Sequence, residues 1–448
     1  MQNWMPVIGA DRGPKYAAIA DAIAGAVKSG DLRPGQRLPP QREMARVLGV
    51  DLTTVTKAYD LARKAGLIEG AGKLGSFVRN DVALPRFGET ASELGMNVPP
   101  QPAFNLLPEA IRIATASLLR AGRHSPILQY QPSLGNLLDR GQAAAWMSGR
   151  GMETEPGQVV IAAGAQHALH SIIATALQAG DRICTGRFVY PGLLSLARRY
   201  RLALDVVDTD KEGLLPESLA QRLERGARFV YITPTNDNPT TATMGIARRK
   251  AIAAVIERHG AILIEDDAYG MLSSRNEPAC ASFLPGHSWY IASTSKTISP
   301  IIRIAHVRAP SAGRARSLAD DISETAIMAP PLNAAIVTTW LRDGTFDEIV
   351  AGVRAEAVAR QRIAARHLLG ARYQAHGEGY HLWLGLDRSM NVDDLVQTIA
   401  AQGLSIVSGD MFDATGAGNC DHVRISLGGA IDRGGLERAL SRLRHLIV

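Results

Sequence analysis

Six short apolar runs, Val159 to Ala163, Arg182 to Thr185, Leu204 to Asp208, Phe229 to Thr233, Ala261 to Asp266 and Trp289 to Ser293, follow one another with helix-like stretches between them. Strands that are apolar on both faces and joined through helices are not hairpin strands. They bury both faces only in a mostly parallel sheet with helices on each side. Sheets of this kind gather ligand groups just beyond the strand ends, so the residues that follow each run carry the function. Gly164-Ala165-Gln166 follows the first run and opens a helix, which makes its amides and the helix N-terminus an anion site. Tyr190, ahead of Pro191-Gly192, is a flat ring able to stack. Asn238-Pro239 comes after the Phe229 run and offers an amide. Asp266 closes the next run with Tyr269 three residues on, and Ser293-Thr294-Ser295-Lys296 closes the last, with Arg303 seven residues further.

A lysine at a strand end is an amine that can form a Schiff base with a carbonyl. Ser293-x-x-Lys296 also fits the pattern of penicillin-interacting serine enzymes, but no Ser-Asp-Asn or Lys-Thr-Gly partner follows. Taken singly, Tyr190 reads as core, Asp266 as a helix cap and Gly164 as a turn. Taken in order, they supply what a pyridine cofactor needs: an amine for its aldehyde, a carboxylate for its ring nitrogen, donors for its phenolate oxygen, a stacking face and a phosphate cup.

From about residue 104 to the end, this order and spacing resemble the fold type I aminotransferases, which use pyridoxal 5′-phosphate (PLP). The resemblance implies Lys296 as the Schiff-base lysine, Asp266 against the pyridine nitrogen, and Asn238 and Tyr269 on the phenolate oxygen. It also implies Tyr190 on the ring face and Ala165, Gln166, Ser293 and Arg303 on the phosphate. Arg424, in Val423-Arg424-Ile425-Ser426, matches the arginine that binds a substrate α-carboxylate. Tyr130, before Gln131-Pro132-Ser133-Leu134-Gly135, matches a tyrosine that reaches the neighbouring subunit's phosphate, which implies a homodimer. Two loops depart from the pattern. Asn238-Pro239-Thr240-Thr241 lacks the usual final glycine, and Pro300-Ile301-Ile302-Arg303-Ile304-Ala305 stands for Pro-Gly-Leu-Arg-x-Gly. The PLP ligands survive these changes, whereas the amino-acid pocket is altered, so the expectation is a sensing domain with weak or absent transaminase turnover.

Charge marks out a second unit. The 448 residues carry a formal net charge of +6. Residues 1–80 hold 12 Lys+Arg against 7 Asp+Glu and so account for +5 of it, which points to an anionic polymer as partner. Lys15 to Ser29 places Ile19, Ala22, Ile23, Ala26 and Val27 at helical spacing. Gln41 to Leu48 reads as a second helix with Met44, Val47 and Leu48 inward, and Asp51 as the N-cap of a third from Leu52 to Ala65. Gly66 to Val78 reads as a small hairpin. Helix, tight turn and helix is the helix-turn-helix arrangement. The run Ser29 to Ala45, then Thr53-Thr54-Val55-Thr56-Lys57-Ala58-Tyr59 and Gly66-Leu67, resembles the winged helix-turn-helix of the GntR family of bacterial regulators. That resemblance implies DNA contacts from Arg42, Thr53, Thr54, Thr56 and Lys57, with the loop Gly72 to Ser76, including Lys73, in a minor groove.

The expected architecture is therefore α/β. A winged helix-turn-helix spans 1–80, a linker spans 81–103, and an aminotransferase-like domain spans 104–448 with a smaller α+β lobe from about 340. This order is that of the MocR subfamily of GntR regulators. Cys184, Cys280 and Cys420 are too far apart for a disulfide framework or a Cys-x-x-Cys site, and His170 and His306 lack companion ligands, so no metal is expected. No apolar run approaches a membrane span and no leader pattern opens the chain, which fits a cytoplasmic protein. Trp289 and Trp383 read as core. The function expected is a PLP-dependent regulator that binds operator DNA and senses a small amino compound, or PLP itself, through Lys296. The alternative is a catalytically active aminotransferase that carries a DNA-binding domain.

Overall fold

The computed structural model describes residues 4–6, 15–33, 35–70, 75–79, 95–102, 106–124, 126–275, 277–387 and 390–447. It divides into two compact units, Met1–Phe87 and Gly88–Val448.

In the N-terminal unit, helices α1 (Lys15–Ser29), α2 (Gln41–Leu48) and α3 (Leu52–Lys64) precede an antiparallel hairpin of β1 (Ile68–Gly70) and β2 (Ser76–Val78). Ile19 and Ile23 of α1, Met44 of α2, and Val55, Ala58, Tyr59 and Ala62 of α3 close on Leu32, Leu38, Ile68 and Val78 to form one apolar core. The Tyr59 hydroxyl donates to the Pro39 carbonyl at 2.6 Å, which satisfies the polar tip of that core side chain. Gly49, with φ +60°, makes the turn after α2. Asp51 takes the extended backbone of an N-cap, but its carboxylate caps no amide and stays exposed at the helix start. Val47 is 53% exposed rather than inward. Met44, Ala45 and Leu48 already fill the inward face of this two-turn helix, and Val47 lies about 100° round from its centre.

The second unit is built on a seven-stranded sheet. Its strands are β3 (Val159–Ala162), β4 (Arg182–Thr185), β5 (Ala203–Val206), β8 (Phe229–Ile232), β9 (Ile262–Asp267), β10 (Ser288–Ser293) and β11 (Ala305–Arg308), in the order β3-β11-β10-β9-β8-β4-β5. A short hairpin of β6 (Thr209–Asp210) and β7 (Gly213–Leu214) lies between β5 and β8 in the chain. Neighbouring strands are parallel except around β11, which runs antiparallel to both β10 and β3. Trp289, on β10, is buried, as the apolar run suggested. Helix Thr345–His367 leads to a smaller sheet of β12 (Tyr373–Ala375), β13 (His381–Gly385), β14 (Ser405–Ser408) and β15 (His422–Ser426), ordered β12-β13-β15-β14 and wholly antiparallel. Trp383 is buried in it, with Phe412 and Cys420. Within the stretch read as a connection, residues 95–102 lie against this second unit: the Gly429 amide donates to the Val98 carbonyl at 3.0 Å, and Pro100 bridges to Gly429. No helix of the described residues is long and apolar enough to cross a membrane.

Candidate functional site

Parallel strands end side by side, and the side chains just past β3, β8, β9 and β10 therefore converge. Ala165, Gln166, Tyr190, Asn238, Asp266, Tyr269, Ser293, Lys296 and Arg303 line one cavity. They are the nine residues of the second unit assigned from sequence to a cofactor within one copy. A larger cavity of about 380 Å³ lies between the β6–β7 hairpin and Trp383, sharing Tyr231 with the first. Its lysine, Lys211, is exposed among Asp210 and Glu212, whereas the smaller cavity sets Lys296 near the buried Asp266, so the smaller cavity is the candidate site.

One end of this cavity is shaped for an anion. Gly164, φ +88°, N-caps helix Ala165–Ala176, whose first amides have no partner within the helix. A Cβ at Gly164 would stand 3.1–3.3 Å from the Arg303 guanidinium, so the glycine is what lets that cation lie against the helix start. Arg303 itself sits at φ +53°. The Ser293 hydroxyl accepts from the Ser295 amide at 3.2 Å, which leaves its proton to donate. Gly192 belongs to the same build: a Cβ there would overlap both Gln166 Oε1 and the Tyr190 ring.

In the middle, Asp266 is buried at the end of β9. Tyr231 donates to its Oδ2 at 2.9 Å, while Oδ1 is enclosed with no hydrogen-bond partner. Burial raises this carboxyl to about 6, against the lowering effect of the Tyr231 bond, with Asp267 raising it and Lys296 lowering it further. Lys296 is pulled down to about 7, by burial first and by Arg424 and Arg303, while Asp266 opposes the shift. A buried carboxylate with one open oxygen beside an amine that is half neutral at pH 7 matches the needs of a protonated pyridine ring carrying an aldehyde. The donor set fits PLP on those grounds.

The far end is closed by residues the sequence did not single out. Lys296 Nζ donates to the Asn97 carbonyl at 2.6 Å, and Tyr380 donates to the Lys296 carbonyl at 2.8 Å. Asn97 Nδ2 donates to the Tyr269 hydroxyl at 2.9 Å and lies 3.3 Å from His381 Nδ1, while Ser426 donates to Asn97 Oδ1 at 2.6 Å. Burial pulls His381 down to about 3, so it is neutral; Nε2, 3.0 Å from the Asp237 carbonyl, carries the proton and Nδ1 accepts. Arg424, on β15, is buried over the Phe412 ring. It donates through Nη1 to Asn238 Oδ1 at 3.2 Å and through Nη2 to the Gly95 carbonyl, and its Nε has no partner. Asn97 lies in a proline-bearing stretch without periodicity, and Tyr231 reads as one more apolar strand residue, so neither carried a signal.

Tyr130 stands apart from the cavity at 79% exposure. Leu128, Leu137, Leu138 and Ile301 are exposed apolar residues as well. Cys420, Asp421 and His422 have ligand atoms within 4.8 Å of one another, but burial holds the Cys420 thiol up at about 11 and the His422 Nδ1 is 2.7 Å from Asp421 Oδ1.

In the N-terminal unit, Arg42, Thr53 and Lys57 are exposed and Thr54 is half-buried at the start of α3. Lys57 Nζ lies 5.5 Å over the Tyr16 ring. The Thr56 hydroxyl is 2.9 Å from both Gln41 Oε1 and the Leu52 carbonyl, so its one proton is shared between the facing helix α2 and its own helix. Arg37 is held against the hairpin at Gly75, φ +108°, where a Cβ would meet its guanidinium at 3.1 Å. Lys73 lies outside the described residues.

The family described as aminotransferase class I and II matches residues 90–443, and that of bacterial regulatory proteins, gntR family, matches residues 15–78. An uncharacterized HTH-type transcriptional regulator of Bacillus subtilis is 25% identical, over 99% of this chain and 97% of its own length. The vitamin B6 salvage pathway transcriptional repressor of Salmonella typhimurium is 28% identical, over 88% of this chain and 90% of its own. Among solved structures, the alpha-aminoadipate aminotransferase of Thermus thermophilus, complexed with N-(5'-phosphopyridoxyl)-L-leucine, superposes with a TM-score of 0.70. It is 25% identical and covers 78% of this chain and 91% of its own.

Proposed function

We propose, for a chain that belongs to the aminotransferase class I and II family and carries a GntR-type domain in front of it, a transcriptional regulator whose large unit reads an amino compound rather than turning one over. The order of domains is that of MocR-type regulators, and the cofactor is PLP. When bound, PLP supplies an aldehyde that exchanges between amines and a ring that withdraws electrons once its nitrogen is protonated.

The chain's own residues do the rest. Lys296 offers the amine, and its depressed pKa keeps a large share of it neutral near pH 7. Asp266, with Oδ1 open, holds a proton on the ring nitrogen. Tyr269, whose oxygen already accepts from Asn97, keeps its own proton to donate to the phenolate oxygen, and Asn238 adds its amide. Tyr190 stacks. The Ala165 and Gln166 amides, Ser293 and Arg303 hold the phosphate, joined in a homodimer by Tyr130 from the other copy. The exposure of Tyr130, and of Leu128, Leu137, Leu138 and Ile301, is what a second copy would cover. Arg42, Thr53, Thr54 and Lys57 face operator DNA, with Thr56 fixing the angle between α2 and α3. The observation that carries this reading is the orphaned Asp266 oxygen beside a depressed lysine, in a chain that begins with a helix-turn-helix.

To test it, a duplex would be selected from a random pool by the full-length chain. Its affinity would then be measured with PLP alone, with PLP plus L-amino acids, and with keto acid added. A change in affinity on adding an amino acid, without steady keto-acid production, supports the regulator. Steady turnover with DNA affinity unmoved would replace it with an enzyme. The Salmonella relative's role in vitamin B6 salvage favours a second reading, in which PLP itself is the signal; PLP alone would then move DNA affinity.

A further inference from the structure

The far end of the cavity is already filled by the chain itself. Gly95 gives its carbonyl to Arg424 Nη2. Two residues on, Asn97 gives its carbonyl to Lys296 and its side chain to Tyr269, His381 and Ser426. Asn97 is 1% exposed. Behind it, Val98 and Pro100 lie against Gly428 and Gly429, and a Cβ at Gly428 would overlap the Val98 carbonyl. Residues 95–100 are thus zipped to the end of β15, the strand that bears Arg424.

We propose that Gly95–Asn97 is a built-in competitor that selects the effector: an amine clears the site only if it also carries a carboxylate. The inference rests on the regulator reading above and narrows its effector class. Arg424 presents Nε and Nη2 as one side-on edge, the fork that a carboxylate takes with both oxygens. Here Gly95 fills one tooth with a neutral carbonyl, and the other, Nε, is buried without a partner. A carboxylate satisfies both and adds charge, so it wins the exchange; a simple amine has nothing to win it with. Lys296 is the second point of competition, because its amine must leave the Asn97 carbonyl to meet any other group. Gly95 follows the end of the N-terminal unit at Phe87 by eight residues. Releasing it frees the chain that leads to the DNA-binding unit, which gives the effector a differential hold on two states.

A staple tests this in the full-length protein. A Cβ at Gly95 would lie 3.0 Å from Val407 Cγ2, within reach of a disulfide in Gly95→Cys/Val407→Cys. The native Cys184 and Cys280 are buried, and Cys420, which belongs to the cluster against which Val407 packs, would be changed to Ala in the same protein. The Tm of the PLP-treated pair would be followed against L-alanine and L-phenylalanine, and against ethylamine and phenethylamine, which differ from them by the carboxylate alone. In the reduced protein the amino acids should raise Tm. In the oxidised protein their half-saturating concentration should rise at least about tenfold, the worth of a charge-assisted hydrogen bond, while the amines behave alike in both. Asn97→Ala, which loosens the strap, should move the amino acids the other way, to lower concentration, and this covers the case in which the staple does not form. With the disulfide verified by thiol titration, equal amino-acid responses in oxidised and reduced protein overturn the proposal, as do a response in neither and amines that raise Tm as the amino acids do. The visible band at Lys296 is recorded in the same samples, so loss of the band reports failure of the cofactor reading separately from the Tm result.

Discussion

The two ends of the lysine cavity differ in what satisfies them. At the ring and phosphate end, Asp266 Oδ1 and Gln166 Oε1 are buried without partners, and the helix opened by Ala165 has free amides. At the carboxylate end, Arg424, Tyr269 and Lys296 are engaged by Gly95 and Asn97, with Arg424 Nε left open. Buried polar groups left open are costly unless something resident meets them, whereas groups met by the chain itself are available only to a ligand that competes. The open groups of the first end fit a resident cofactor, and under the proposed reading the second end takes a ligand that must displace something.

The largest effect that would break this contrast belongs to Asp266. Asp266→Asn should weaken PLP binding by about 2–3 kcal/mol, roughly 30- to 160-fold, by titration of the visible band. The cofactor-free protein should not lose stability at pH 8. A carboxyl whose folded pKa is raised, here to about 6, costs stability above that value, and the amide removes the cost. Equal losses of stability and affinity would make Asp266 a structural residue.

Next is the pH dependence of PLP capture. With Lys296 at about 7, the neutral amine grows about tenfold between pH 6 and 8 and then saturates, so the capture rate should level off above pH 8. A lysine with its ordinary pKa would keep rising about tenfold per pH unit past 9. Gly164→Ala is smaller: at φ +88° a Cβ costs about 1–2 kcal/mol of stability and pushes on Arg303, with PLP affinity down about fivefold in the same titration.

Thr241→Gly has the smallest effect and the opposite sign. Thr241 is a β-branched residue at φ +63°, at the position where the aminotransferase resemblance implies a glycine. Restoring it should stabilise the protein by about 1 kcal/mol in urea unfolding. It belongs to the loop that carries Asn238, so a gain in amino-acid response alongside would show that the loop limits the carboxylate end.

The contrast also explains what was legible. Lys296, Asp266, Asn238, Tyr190 and Arg303 stand just past apolar runs, and parallel topology alone brings such positions together. Gly95 and Asn97 reach the cavity from a stretch with no period, through backbone carbonyls that no residue type announces. Tyr231 is hidden because a tyrosine in a strand reads as core until its hydroxyl has a partner. In the N-terminal unit the α3 face was read from spacing, while Val47 and Thr56 were decided by packing across helices: Val47 turned outward and Thr56 was tied to Gln41.

The central claim, a resident cofactor on Lys296, is most directly tested by the visible absorbance of the purified protein with added PLP beside Lys296→Ala. A band in the wild type that is missing from the mutant is the expected result. No band in either, or the same band in both, would contradict it and leave the large unit without its cofactor chemistry.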